Sequence, residues 1–181
     1  LPAFGEMSQQ KLKAARVLIV GVGGLGSPSS VYLAAAGIGT LGLVDADTVS
    51  ECNLHRQVLY TNRDIGRSKV DAAAARLRTL NPHIAVHTHA TRLDRDEADR
   101  ILSAYDLVVD GVDNFASRFV INESCVRLGK PYVYGSVCRY EGQAAVFDAK
   151  RGPCYRCFAE DPPPTPLVPD SAETGVLGPV P

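Results

Sequence analysis

Three short polar runs carry the residue types that handle phosphate. Asn53, Arg56 and Gln57 stand together in NLHRQ at 53–57. A guanidinium can pair with two phosphate oxygens through parallel hydrogen bonds, and flanking amides can orient such contacts. Lys69 lies in GRSKV at 66–70, near the expected start of a helix. A cation there opposes the helix dipole, so its placement makes more sense against a phosphate. DGVDN at 110–114 adds two carboxylates and an amide. Asp113 suits Mg²⁺, which takes one or two carboxylates, keeps several waters and bridges phosphates. An N-cap role for Asp113 is equally open and compatible, while Asp110 reads as a structural tie at a strand end. Taken singly, Arg56 would be a surface ion-pair partner and Lys69 a solvated charge. Together they read better as a phosphate clamp.

The elements that must position these groups begin at Arg16–Val20, an apolar strand running into GVGGLG at 21–26. Gly21 permits the tight turn, Gly23 and Gly24 let ligand oxygens approach the backbone, and Gly26 allows close helix packing. A helix from Leu25 to Ala36 follows, then a strand from Thr40 to Val44 ending on Asp45. The acid lies about 20 residues beyond the glycines, where a ribose would be gripped. This βαβ unit implies an adenine nucleotide, NAD or ATP. The phosphate-directed residues downstream favour ATP, because a dehydrogenase has no standing need for them.

Further along, periodicity predicts a helix over 68–80 with Val70, Ala73, Ala74 and Leu77 facing inward, and a strand over 84–89. A surface helix over 94–105 turns Ile101 and Leu102 inward; LVVD at 107–110 is a strand, 114–129 a helix, and 132–137 a strand. An antiparallel strand is expected over 143–147, a helical turn over 8–15, and irregular chain over 46–67. Alternating strands and helices make this an α/β fold, Rossmann-like and doubly wound, with a mostly parallel sheet and an antiparallel extension. Residues 1–150 read as the ATP-binding unit, and 151–181 as a cysteine-containing, proline-rich crossing segment of the same domain. With 19 Lys and Arg against 20 Asp and Glu, the net charge of −1 offers no field for nucleic acid. No apolar run is long enough to span a membrane, and a cytoplasmic location is the default.

Five cysteines, an odd number, do not suggest a disulfide framework. Cys125 and Cys138 read as small buried fillers. Cys154 and Cys157, in CYRC, have zinc-ligand spacing but supply half a tetrahedral site. The alternatives are free thiols or a redox pair. A redox pair would usually open a helix beside a βαβ start, so zinc is favoured.

The motifs GVGGLG, VDAD, NLHRQ, GRSKV, AsnPro at 81–82, DNFASR, EGQAAVF and CYRC, in unbroken order, resemble the MoeB/ThiF family of the ubiquitin-activating superfamily. The resemblance implies adenylation of the C-terminal glycine of a small ubiquitin-like sulfur-carrier protein ending in Gly-Gly, with release of pyrophosphate. It implies that Gly24 lies against ATP and Asp45 on the ribose, that Asn53, Arg56 and Lys69 meet phosphates, and that Asp113 holds Mg²⁺ with Asn114 beside it. It also implies a homodimer, a structural Zn²⁺ completed by a second cysteine pair beyond this chain, and a basic helix before Leu1. Ser171 stands where the family usually carries a cysteine, which in some members takes the activated carrier as a thioester or donates to a persulfide. Either the protein stops at the acyl-adenylate or the position was altered, and a plain loop residue is an equally open reading. An NAD-dependent oxidoreductase and a non-catalytic binder of a ubiquitin-fold partner are the rival readings.

Overall fold

The computed structural model describes residues 4–138 and 140–159; Ser171 and the proline-rich stretch lie outside them. A six-stranded sheet has the order β3-β2-β1-β4-β5-β6. Its strands are β1 (Arg16–Val20), β2 (Thr40–Val44), β3 (Ala85–His89), β4 (Leu107–Asp110), β5 (Tyr132–Cys138) and β6 (Glu141–Phe147). All pairings are parallel except β5 with β6. The chain steps outward from β1 to β3 and then crosses back to β4 beside β1, leaving a topological switch point between β1 and β4.

Residues of β1 alternate between two cores. Val17 and Ile19 join Leu41, Leu43 and Val86 under α2 (Gly26–Ala36) and α3 (Lys69–Leu80). Leu18 and Val20 join Val108, Ile101, Leu102 and Ile121 under α4 (Arg95–Leu102) and α5 (Phe115–Leu128). Helices cover both faces, so the central strands are continuous apolar runs. Val70, Ala73, Ala74 and Leu77 of α3 are all buried, as the helical period predicts.

Several expectations need adjustment. The expected turn at 8–15 is a nine-residue helix, α1 (Glu6–Ala14), with no buried residue. Its C-terminal backbone instead packs tightly against Gly39, where a Cβ would overlap the Lys13 carbonyl. β6 starts at Glu141 because pairing with β5 runs to the hairpin, Cys138 opposite Glu141. Residues 46–67 are irregular but not loose, with two 3₁₀ turns (Glu51–Asn53, Asn62–Asp64) and buried Val49, Leu59 and Tyr60. Cys125 is buried, but Cys138 is exposed. It is the last residue of β5, paired with the edge strand β6, and among the described residues no second layer covers it.

Candidate active site

A cavity of about 510 Å³ opens at the C-terminal ends of the parallel strands, across the switch point. Gly21, Gly23, Gly24, Asp45, Asn53, Arg56, Gln57, Lys69, Asp113 and Asn114 all line it. Gly26 does not. It lies beneath the turn, where a Cβ would overlap the carbonyl oxygen of Gly21. Gly21 itself has φ +84°, a left-handed conformation, and a Cβ on it would stand 2.8 Å from the Gly111 backbone. Two glycine-bearing turns, one after β1 and one after β4, therefore touch at the floor of the cavity.

Asp45 is wired into that floor. Its Oδ2 accepts from Val22 N at 2.8 Å and its Oδ1 from Asp47 N at 2.9 Å. Burial pushes its carboxyl above the usual range, against the pull of Lys69 and of these two amides. Tyr60 completes the support by donating its phenolic hydrogen to the Val22 carbonyl at 2.8 Å. Tyr60 had no motif to announce it, since its role depends on a tertiary contact 38 residues away.

The clamp residues are held more loosely. Arg56 is half-buried, and its Nη1 donates to His55 Nε2 at 2.9 Å. No carboxylate pairs with it among the described residues, so the surface ion-pair reading fails. Gln57 is buried and donates to Asn53 Oδ1 at 2.9 Å. Its Oε1 is buried without a partner, so Gln57 serves first to orient Asn53. Lys69 is buried rather than solvated and donates to Asp47 Oδ2 at 2.9 Å. Beside Asn53 and Arg56, the exposed Cys52 thiol is drawn below its ordinary pKa, chiefly by its hydrogen bond with Ser50 and also by these two neighbours.

On the opposite wall Asp113 is exposed. It is not the cap of α5. Asn114 takes that place, its Oδ1 accepting from Ser117 N at 2.9 Å, which leaves Asp113 available to a cation. Asp110 beneath is structural, as expected. It accepts from Val112 N at 2.8 Å and from the Tyr132 hydroxyl, with Arg118 Nε at 3.6 Å. Burial outweighs these partners and pushes its carboxyl up to about 6. Arg118 also donates through Nη2 to the Val112 carbonyl at 2.8 Å, pinning the turn that carries Asp113.

The cavity holds residues to which the motifs assign no role in the site: Arg92 and Leu93 beyond β3, Arg118 at the end of DNFASR on α5, and Ser136 to Cys138 on β5. The position of ligand sites at the carboxyl ends of strands would have found the first and last of these. Cys154 and Cys157 lie elsewhere. The ground for setting a redox pair aside weakens here, because Cys154 caps a one-turn helix, α6 (Tyr155–Phe158), and Cys157 N donates to its carbonyl at 3.0 Å. Burial opposes ionisation of Cys154, but the amides of Arg156 and Cys157, the Cys157 thiol and Asn122 together lower its pKa. No group of three or more metal-ligating side chains occurs among the described residues, so the pair offers two of the four ligands zinc needs.

Strand order, glycine turn and a polar cavity at the switch point define a nucleotide-binding α/β protein. The ThiF family matches residues 1–181, and the chain belongs to that family. It is 48% identical over 186 residues to a sulfur carrier protein adenylyltransferase of Thermus thermophilus, covering 100% of this chain and 69% of that protein. It is 51% identical over 178 residues to the adenylyltransferase and sulfurtransferase MOCS3 of Culex quinquefasciatus, covering 98% of this chain and 41% of that one. The chain thus spans less than half of that longer relative. Among solved structures it is similar to E. coli MccB with ATP, at a TM-score of 0.77 and 32% identity, covering 82% of this chain and 46% of that chain. Among the described residues no helix is long and apolar enough to cross a membrane.

Proposed function

We propose that this chain adenylates the C-terminal glycine carboxylate of a small ubiquitin-like sulfur-carrier protein, using ATP and Mg²⁺ and releasing pyrophosphate. The convergence of Asp45, Asn53, Arg56, Lys69 and Asp113 on one cavity carries this reading. Asp45 and the glycine turn would take the nucleoside end, as an acid that still has free lone pairs beside exposed backbone. Arg56 and Lys69 would take the phosphates from one wall, and Asp113 faces them from the other. A lone exposed carboxylate fits Mg²⁺, which draws its remaining ligands from phosphate and water. When bound, that ion supplies neutralisation of phosphate charge.

The chemistry asks for no protein nucleophile. The carrier carboxylate attacks the α-phosphorus, the bond to the β-phosphate oxygen breaks, and the electron pair leaves with pyrophosphate. Arg56 and Lys69 stabilise the charge that builds on the phosphates, and the cavity floor fixes the nucleotide for in-line attack. A homodimer belongs to this reading on family resemblance, as does a zinc ion sharing Cys154 and Cys157 with ligands outside the described residues. The test is incubation with a Gly-Gly-ended carrier, ATP and Mg²⁺, followed by mass spectrometry. A carrier–AMP adduct is expected. Its absence with every carrier of the same genome, or stabilisation by NAD alone, overturns the proposal.

A further inference from the structure

The two cations at the phosphate end are treated differently by the fold. Arg56 has no carboxylate partner among the described residues. Lys69 has one, Asp47. Its Nζ donates to Asp47 Oδ2 at 2.9 Å, with the lysine side chain 7% exposed and the aspartate 61%. The anion thus stands at the rim of the cavity and the cation inside.

Asp47 is locked there by its own backbone. Its carbonyl accepts from Lys69 N at 3.0 Å and its amide donates to Asp45 Oδ1 at 2.9 Å. Thr48 bridges to Ser68, Val49 N donates to the Arg67 carbonyl, and Gly66 N donates to the Val49 carbonyl. This clasp fixes the Asp47 backbone beside Lys69, and the bond to the ammonium orients the carboxylate. Lys69 is also the first residue of α3, where the dipole disfavours a cation and burial adds to the cost. Asp47 offsets both before any ligand arrives. A polyphosphate entering the cavity must then share that same ammonium.

The geometry points to Asp47 as a counter-anion that competes with the nucleotide's phosphates for Lys69, aiming the ammonium before ATP binds and loosening the hold on pyrophosphate afterwards. This rests on the adenylation reading above. Asp47 acts through Lys69, so it is a positioning residue and not a catalytic one. Two anions bonded to one nitrogen stand about 5 Å apart. Between the effective dielectric of about 20 near a protein surface and about 80 in water, their repulsion is worth roughly 4- to 270-fold in affinity. The 61% exposure of Asp47 places it toward the lower end, on the order of tenfold.

The expected effect has an unusual sign. Asp47→Asn keeps the shape and an acceptor for Lys69 but removes the charge. Titration calorimetry of the chain with Mg²⁺–pyrophosphate is expected to give about tenfold tighter binding in the variant, and carrier-dependent exchange is expected to half-saturate at a correspondingly lower pyrophosphate concentration. A residue with a merely structural role would give weaker binding. Unchanged or weaker pyrophosphate binding in a folded Asp47→Asn overturns the proposal. Should that variant not fold, Asp47→Ser replaces it, with tighter binding again expected and unchanged or weaker binding again overturning the proposal. A wild-type chain that binds neither pyrophosphate nor ATP would instead overturn the adenylation reading on which this one stands.

Discussion

The two ends of the cavity are built by different means. The end proposed for the nucleoside is shaped by backbone: Gly21 pressed on Gly111, Gly26 under the Gly21 carbonyl, and Asp45 holding Val22 and Asp47 by their amides. The end proposed for the phosphates is side chain: Arg56, Asp113 and Lys69 come from three separate segments, two of them outside regular structure. The first is fixed by folding, and a side chain at Gly21 or Gly26 would collide with backbone. The second rests on side chains, and its exposed Asp113 and half-buried Arg56 can be dissected by mutation.

Gly26→Ala tests the first half of that contrast and should have the largest effect. Its Cβ would overlap backbone rather than a flexible side chain, so α2 must lift off the turn. A loss of more than about 4 kcal/mol is expected in denaturant unfolding. Gly23→Ala is the control, since its Cβ would meet only Gln57 Nε2 at 3.5 Å. Stability there should stay within about 1 kcal/mol of wild type, Gly-to-Ala changes being small where the backbone allows them. Any loss should appear in ATP binding.

At the phosphate end the expectation reverses. Asp113→Asn should leave the melting temperature nearly unchanged, since the carboxylate is exposed and caps no helix, while reducing ATP–pyrophosphate exchange by about 10²-fold or more. Lys69→Ala should abolish exchange as well, with some stability lost because Lys69 is buried. Exchange retained in both variants would leave the cavity without its proposed chemistry.

Between the two ends sits Asp110, and pH should separate its effect from theirs. Its carboxyl is raised from 3.8 to about 6 by burial. Between those values the folded chain holds a proton that the unfolded chain has released, so this group's contribution to stability falls as pH rises across that window. It stays level above about pH 6. A shift of about two units corresponds to ~3 kcal/mol. Denaturant unfolding from pH 4 to 7 should show that decline in wild type and a flatter profile in Asp110→Asn. Parallel profiles would mean that another group sets the pH dependence.

How far the sequence spoke for itself follows the same division. β1, β2 and β4 fall at the residues expected, because central parallel strands are unbroken apolar runs between polar or glycine punctuation. The glycine turn and Asp45 were legible because backbone geometry constrains residue type directly. Tyr60 was not, since nothing local marks a tyrosine whose hydroxyl meets Val22. Cys138 was misjudged because strand character says nothing about whether a neighbouring layer covers it. The pairing of Lys69 with Asp47 joins residues 22 apart in sequence, and only the clasp between their segments reveals it.

The smallest expected effect probes how the phosphate end discriminates shape from charge. Arg56 meets no carboxylate among the described residues, and its guanidinium is held by His55 and more weakly by the Cys52 carbonyl at 3.5 Å. If it serves only as a positive charge, Arg56→Lys should exchange pyrophosphate at nearly the wild-type rate. If two parallel hydrogen bonds to phosphate matter, the ammonium cannot reproduce them. We expect the second outcome, with exchange reduced about tenfold and stability unchanged, because a guanidinium can pair with two phosphate oxygens at once and an ammonium cannot. Arg56→Lys at full rate would mean that the phosphate end works by charge alone, and would assign its geometric selectivity to the backbone end of the cavity.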